Sequence, residues 1–129
     1  MGEKIGFIGS GKMTQALIGG ILGADLARRE DMIASDPSSI QRDVVAREYG
    51  ITVTKSNREV VSTAQTVFIA VHPQHYLEAL APCADAFDHN TLTVSIMAGV
   101  TARSLEEALP SGVPVVRVMP NIACLVKGA

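Results

Sequence analysis

Short apolar runs alternate with longer amphipathic segments along the chain, and this alternation predicts its architecture. Six runs have the length and composition of β-strands, at 4–9, 31–36, 51–54, 66–71, 91–97 and 113–119. The run TVFIAV at 66–71 contains no charged residue, which is typical of a central parallel strand that is buried on both faces. The segments between these runs have the character of helices and turns.

The first two helices have clear boundaries in the sequence. We expect the second helix to carry Pro37 in its first turn and to end at Gly50, because proline is tolerated at helix starts and glycine at helix ends. The first helix follows the GSG turn at 9–11. Its buried face is predicted to contain Met13, Ala16, Leu17, Gly20 and Ile21.

The remaining helices complete an alternating series. A short third helix is predicted over 57–64, a fourth follows Pro73 and breaks near Pro82, and Thr101 caps a fifth. Strands that alternate with helices form a parallel sheet with right-handed crossovers. We therefore predict one α/β domain over 1–129, with a Rossmann-type, doubly wound, mainly parallel sheet and helices on both faces.

Composition narrows the function classes. The chain has 129 residues, a formal net charge of −2 and no dense Lys/Arg cluster, so nucleic acid is not an expected partner. No apolar run reaches membrane-spanning length, and the first strand begins too early to leave room for a signal peptide. Cys83 and Cys124 lie far apart without a CxxC pattern. We expect a cytoplasmic protein with free thiols.

The stretch FIGSGKMT at 7–14 has the features of a dinucleotide-binding turn. Gly9 permits a tight turn between strand and helix, and Gly11 lets main-chain N–H groups approach a pyrophosphate at the positive end of the helix. Thr14 stands where a third glycine or alanine is usual, a position that needs only a small side chain. An ordinary strand–helix turn is the alternative, but the position at the start of a βα series favours a nucleotide.

Asp36 closes the second strand, where an acidic residue commonly binds the ribose 2′-hydroxyl of NAD. Its alternative role is to cap the helix that follows. Nearby polar side chains could instead accept the 2′-phosphate of NADP, so the sequence leaves the choice of nucleotide open. These side chains are Ser35, Ser38, Ser39 and Arg42.

The sequence gives little support for a metal site or for a catalytic nucleophile. His72 and His75 form an HxxH pair without a third ligand at suitable spacing, so we predict no metal site. Ser10 lacks the context of a nucleophile elbow. We nominate no catalytic residue in this chain.

Four separated motifs give the chain a resemblance to a known family. GFIGSGKM, AVHPQ, SIMAGVT and RVMPN occur in the order, and at about the spacing, found in pyrroline-5-carboxylate reductase. That family reduces a cyclic imine to proline with NADPH or NADH, and its glycine fingerprint usually ends in alanine. The resemblance spans essentially the whole chain and makes Thr14 a mild departure.

The resemblance implies a cofactor site for NADPH or NADH. It places 8–13 around the pyrophosphate, 35, 36 and 57 near the adenosine, 70–73 along the nicotinamide riboside, 96–98 under the nicotinamide and 121 at the mouth of the site. The implied residues are Ile8, Gly9, Ser10, Gly11, Lys12, Met13, Ser35, Asp36, Asn57, Ala70, Val71, His72, Pro73, Ile96, Met97, Ala98 and Asn121.

The chain also departs from the family pattern. His72 replaces the usual lysine of AVKP, and PNIACLVKGA replaces the more frequent PNTPALVGEG. The family's helical C-terminal domain, which forms the homo-oligomer and most of the imine-carboxylate site, is absent from this chain, so we expect little or no activity from the chain alone. Two alternatives are kept: an NADP oxidoreductase that uses the deazaflavin coenzyme, and a non-catalytic NAD(P)-binding module.

Overall fold

The computed structural model describes residues 3–119, which form a six-stranded parallel sheet flanked by helices. The regular elements are β1 (Ile5–Ile8), α1 (Lys12–Gly23), β2 (Met32–Ser35), α2 (Ser39–Tyr49), β3 (Thr52–Thr54), α3 (Asn57–Thr63), β4 (Thr66–Ile69), α4 (Tyr76–Leu80), β5 (Leu92–Ser95), α5 (Ala102–Ala108) and β6 (Val115–Arg117). Short 3₁₀ turns occupy Arg29–Asp31, Pro73–His75 and Ala81–Ala86.

The strand order is β3-β2-β1-β4-β5-β6, and every neighbouring pair is parallel. The chain moves outward in one direction from β1 through β3 and in the other direction from β4 through β6. The switch point therefore lies between β1 and β4, where open α/β sheets bind ligands at their carboxyl edge. This topology confirms the predicted Rossmann-type fold.

Helices cover both faces of the sheet, and each face has its own hydrophobic cluster. On one face α1 and α2 pack over β1 and β2, and the Phe7 and Phe68 rings stack with centroids 5.1 Å apart. On the other face, α3, α4 and α5 enclose a larger cluster that includes Val60, Leu80 and Leu105. In β4, Val67 and Ile69 are buried, whereas Thr66 and Phe68 are only partly buried, so the prediction of a central strand buried on both faces is correct for one face only.

The buried face of α1 was predicted incorrectly, because the two residues at its centre were not among those predicted. Thr14 and Ile18, one turn apart, are the fully buried residues of this helix, while Gly20 is exposed. Leu17 and Ile21 pack at the margin of the cluster. The buried face of α1 therefore includes Thr14, a polar residue that hydropathy alone predicts to be exposed.

The observed helix ends confirm the predicted roles of Gly50 and Thr101, but the predicted place of Pro37 is wrong. Gly50 ends α2 in the left-handed conformation at φ 69°, and the Thr101 side chain caps α5 by accepting from the Ser104 N–H. Pro37, however, precedes α2, because Ser38 is the capping residue and accepts from the Gln41 N–H. No helix within residues 3–119 is both long and apolar enough to cross a membrane.

Replacing Thr93 by valine is expected to stabilise the fold. Thr93 lies in β5 with no exposed surface, and its Oγ1 finds no hydrogen-bond partner among the described residues. Valine keeps the shape and removes the desolvated hydroxyl, so the free energy of unfolding should rise by roughly 1 kcal/mol. Urea denaturation measures the change, and an equal or lower unfolding free energy would contradict it.

Candidate functional site

A cleft of about 570 Å³ opens at the carboxyl ends of β1, β2, β3 and β4. It lies at the switch point of the sheet, where the ends of these strands converge. The residues that line it are Gly9, Ser10, Gly11, Asp36, Pro37, Lys55, Asn57, Ala70, Val71, His72, His75, Glu78 and Ala79.

The β1–α1 turn forms the floor of this cleft and is fixed by close contact with the neighbouring strands. Gly9 has φ 103°, and a Cβ there would stand 2.7 Å from the Ala70 carbonyl oxygen. Its N–H donates to the Ser35 carbonyl at 2.9 Å. Only glycine meets both the conformation and the space at this position.

Hydrogen bonds from buried side chains hold the same turn. The Ser10 hydroxyl, fully buried, donates to the Ser35 carbonyl at 3.0 Å. The Thr14 hydroxyl donates to the Gly9 carbonyl at 2.7 Å, and Gln15 Nε2 donates to the Ser10 carbonyl at 3.0 Å. Thr14 therefore does more than fit in the third fingerprint position, because its hydroxyl satisfies a main-chain acceptor of the turn.

We expect the Thr14→Val substitution to destabilise the fold by roughly 1–2 kcal/mol, because it leaves the buried Gly9 carbonyl without this donor. Thr93→Val is the matched control, since the same chemical change at an equally buried threonine has the opposite expected sign. Unfolding of both variants in urea gives the comparison. Equal effects at the two sites would show that the Thr14 bond contributes nothing.

The start of α1 suits an anion. Gly11 is the N-cap residue, and it provides no side-chain cap for the helix, which spans 12 residues. No acidic side chain lies in the first turn, and a Cβ built on Gly11 meets no atom within 4 Å. The helix start, with no side-chain cap and with its partial positive charge, therefore meets the cleft at Gly11, which is the position that a phosphate site requires.

Asp36 joins the turn to the end of β2. Its Oδ2 accepts from the Ser10 N–H and its Oδ1 accepts from the Ser38 N–H, each at 2.9 Å. The carboxylate thus lines the cleft and also helps to order the start of α2. The alternative role of Asp36 as the cap of α2 is wrong, because Ser38 is the N-cap residue. The ribose-binding role stays a prediction and is compatible with the place of Asp36 in the cleft lining.

Asn57, the first residue of α3, connects three parts of the fold at the wall of the cleft. Its Oδ1 accepts from the Ser35 hydroxyl at 2.7 Å, and its Nδ2 donates to the Ala79 carbonyl at 3.1 Å. Ser35 itself is fully buried and does not line the cleft. The hydrogen bonds of Asn57 therefore shape the adenosine side of the predicted site.

The opposite wall follows β4 and contains the two histidines. His72 Nδ1 accepts from the Gln74 N–H at 3.2 Å and so caps the 3₁₀ turn, which leaves Nε2 to carry the proton of the neutral ring. His75 Nδ1 lies 3.4 Å from a Glu78 carboxylate oxygen. Among residues 3–119, no three His, Cys, Asp or Glu side chains gather as a metal site.

The predicted site residues separate into two groups. Those that line the cleft are Gly9, Ser10, Gly11, Asp36, Asn57, Ala70, Val71 and His72. Those outside its lining are Ile8, Lys12, Met13, Ser35, Pro73, Ile96, Met97 and Ala98. Ile8, Ile96 and Met97 are buried, whereas Lys12 and Ala98 are exposed. Asn121 lies outside the described residues.

Sequence reasoning missed five lining residues: Pro37, Lys55, His75, Glu78 and Ala79. Lys55 carries a signal that could have identified it, because it directly follows a predicted strand and parallel strands bring their carboxyl ends together. His75 and Glu78 line the cleft from the 3₁₀ turn and the helix α4 that follow β4. No local sequence pattern indicates that turn.

The cysteine within residues 3–119, Cys83, does not have the exposed, readily ionised thiol of a reactive cysteine. Cys83 is buried in the larger hydrophobic cluster, and burial raises the pKa of its thiol. Nearby, the Arg58 guanidinium bonds the Asp85 carboxylate at 2.6 Å and lowers the pKa of that carboxyl group. These groups stabilise the contact between α3 and the Ala81–Ala86 turn and lie outside the cleft lining.

Comparison with known proteins agrees with this geometry. Residues 4–99 match the family model described as NADP oxidoreductase, coenzyme F420-dependent. The chain is 40% identical to pyrroline-5-carboxylate reductase of Pseudomonas aeruginosa over 124 residues, and 38% identical to pyrroline-5-carboxylate reductase 3 of Danio rerio over 129 residues. These alignments cover 96% and 98% of this chain, but 45% and 44% of those relatives.

Solved structures show the same likeness. The pyrroline-5-carboxylate reductase of Coxiella burnetii matches with a TM-score of 0.89 at 26% identity, covering 97% of this chain and 46% of that chain. Pyrroline carboxylate reductase of Plasmodium falciparum, solved with NADP bound, matches with a TM-score of 0.82 at 30% identity, covering 96% and 44%. The chain thus spans a little under half the length of these proteins.

The resemblance inferred from four motifs is confirmed by these relatives over nearly the whole chain. The family model covers most of the chain, including the glycine turn and every residue that lines the cleft. This chain therefore belongs to the family described as coenzyme F420-dependent NADP oxidoreductases, and it is similar to pyrroline-5-carboxylate reductases.

Proposed function

We propose that this chain is the nucleotide-binding part of a pyrroline-5-carboxylate reductase. Such an enzyme is an oxidoreductase that acts on a CH–NH bond and reduces 1-pyrroline-5-carboxylate to L-proline with NADPH or NADH, in proline biosynthesis. The observation that carries the proposal is the cleft at the switch point, which combines a fixed glycine turn, an uncapped helix start and a carboxylate at the end of β2. The identity of the relatives supports the reaction.

The residues of the cleft would hold and orient the nucleotide. The N–H groups at the start of α1 would bind the pyrophosphate, because Gly11 leaves the approach open. Asp36 and Asn57 would border the adenosine, and 70–73 would lie along the nicotinamide riboside. Ile96, Met97, Ala98 and Asn121 keep their predicted positions near the nicotinamide as part of this proposal.

When bound, the reduced nicotinamide supplies a hydride to the imine carbon. The contribution of this chain is orientation of the nucleotide, since its cleft lining contains no nucleophile with a neighbouring base. The cyclic imine carboxylate would be bound largely by parts of the enzyme that this chain does not contain. The chain alone is therefore expected to bind nucleotide with little or no turnover.

One specific observation favours a second candidate. The family model is described as coenzyme F420-dependent, so electron transfer between that coenzyme and NADP is the alternative reaction. The model match ends at residue 99, whereas the pyrroline-5-carboxylate reductases align over at least 96% of the chain and so reach beyond it. This longer match favours imine reduction.

The assay uses the natural protein that carries this chain. Oxidation of NADPH or NADH is followed with 1-pyrroline-5-carboxylate as substrate, and the Gly11→Val variant serves as the control. We expect imine-dependent oxidation that the variant loses. Oxidation of reduced coenzyme F420 by NADP, without imine reduction, would establish the alternative. Nucleotide binding without either reaction would identify a non-catalytic module.

The proposal includes two further properties. Assembly into a homo-oligomer is expected of the intact enzyme, and sedimentation of the natural protein tests it. A cytoplasmic location fits the buried free thiol of Cys83, because reducing compartments keep thiols unpaired. Localisation of the tagged natural protein tests this second property.

A further inference from the structure

Asp36 stands at the end of β2 in a position that four interactions fix. Besides the two carboxylate bonds to the Ser10 and Ser38 N–H groups, its own N–H donates to the Thr54 carbonyl at 3.2 Å. Its carbonyl oxygen accepts from Arg42 Nη1 at 2.8 Å. The carboxylate is therefore held at the cleft and cannot swing away from a nucleotide without breaking these bonds.

None of the other groups near Asp36 that the sequence offers for a 2′-phosphate lines the cleft, and most of them make hydrogen bonds within the fold. The Ser35 hydroxyl is buried and donates to Asn57, and Ser38 Oγ accepts from the Gln41 N–H as the helix cap. Arg42 donates through Nη1 to the main-chain carbonyls of residues 36 and 37. Ser39 is exposed and absent from the cleft lining.

The charges that line the cleft do not favour an additional phosphate. Asp36 and Glu78 bring two carboxylates, and Lys55 brings one cationic side chain. The Glu78 carboxylate lies 3.4 Å from Nδ1 of His75. Lys55 is exposed and makes no ion pair with the described residues, whereas hydrogen bonds hold Asp36 in place.

We propose that Asp36 makes this cleft select NADH over NADPH. Its fixed carboxylate would accept a hydrogen bond from the ribose 2′-hydroxyl of NADH and would repel the 2′-phosphate of NADPH. The inference rests on the proposed nucleotide-binding function and deepens it by naming the preferred nucleotide. It also distinguishes this chain from the description of its family, which names NADP.

The test compares dissociation constants for NADH and NADPH, measured by fluorescence titration of the 129-residue chain and of its variants. In the natural sequence we expect NADH to bind at least roughly 10-fold more tightly than NADPH, because the Asp36 carboxylate repels the 2′-phosphate at short range. Asp36→Ser should reduce this ratio at least about 10-fold by removing the charge and the acceptor. Asp36→Asn is a second variant that keeps the shape and one acceptor for a main-chain N–H, and it should shift the ratio in the same direction.

Two further variants separate the role of Asp36 from general charge. Asp43→Ser removes an exposed carboxylate of α2 outside the cleft lining and should leave the ratio unchanged. Lys55→Ala in the Asp36→Ser background should reduce the NADPH affinity gained, because Lys55 is the lysine that lines the cleft and can pair with an admitted 2′-phosphate. Thermal unfolding of each variant establishes that it is folded.

Several outcomes would overturn the proposal. Tighter binding of NADPH by the natural sequence contradicts it directly. An unchanged ratio in folded Asp36→Asn and Asp36→Ser would show that the carboxylate only anchors the turn. Either result leaves nicotinamide-nucleotide binding, and hence the proposed function, intact. Failure of both nucleotides to bind would instead overturn the nucleotide site and both proposals together.

Discussion

The Gly11→Val variant is expected to lose nucleotide binding while keeping its fold. Gly11 has φ −78° and ψ −166°, a region open to any residue, and a Cβ there meets no atom within 4 Å. The free energy of unfolding should therefore change by less than about 0.5 kcal/mol. A branched side chain at this position would occupy the approach to the helix start, so affinity should fall at least roughly 100-fold.

Calorimetric titration with NADH and NADPH measures this loss, and thermal unfolding of the same samples establishes the state of the fold. Gly20→Val is the matched control, because Gly20 also faces open space but lies outside the cleft lining. The control should bind nucleotide normally. Undiminished binding by Gly11→Val would show that the pyrophosphate does not lie at the start of α1.

Unlike Gly11→Val, the Gly9→Ala variant is expected to lose much of its folding stability. Its positive φ of 103° is unfavourable for alanine, and the new Cβ would stand 2.7 Å from the Ala70 carbonyl oxygen and 2.9 Å from its carbon. Main-chain atoms cannot rotate away as a side chain can. We expect the free energy of unfolding to fall by roughly 3–5 kcal/mol, from strain and displacement of the two strands.

The control for this prediction is the same substitution in a different environment. Gly20 lies in α1, where a Cβ meets nothing within 4 Å, so Gly20→Ala should raise the unfolding free energy by up to about 1 kcal/mol. Urea denaturation of the two variants gives the comparison. A loss of less than about 1 kcal/mol for Gly9→Ala would mean that the turn can move away from β4.

The sequence predicted the sheet because its signal is local. The apolar composition of a run such as TVFIAV indicates a strand inside the sheet, and glycine or proline marks the ends of elements. Six strands and the glycine turn could therefore be identified without contacts. The predicted cleft residues nearest those strand ends, such as Gly9 and Ala70, do line the cleft. Because the carboxyl ends of parallel strands lie at one edge of the sheet, residues that follow different strands in the sequence come together in space.

The parts that the sequence could not predict depend on distant contacts. The sequence indicates only that Thr14 is small enough for its position, whereas in the fold its hydroxyl donates to the Gly9 carbonyl. Asn57 was assigned from the resemblance, yet its amide joins residues 35 and 79, each 22 positions away. The bonds that anchor Asp36 likewise require the turn, β2 and α2 to be assembled. Hydrogen bonds between residues that are distant in the sequence produce no periodic pattern, so they cannot be predicted from it.

Fluorescence titration of the purified chain with NADH and NADPH tests the central claim most directly, because it asks whether the cleft alone binds a nicotinamide nucleotide. We predict saturable binding of at least one nucleotide, with one site per chain. Addition of the pyrroline substrate is not required for that result. Absence of saturable binding of both nucleotides to the folded chain would contradict the assignment of the cleft as a nucleotide site.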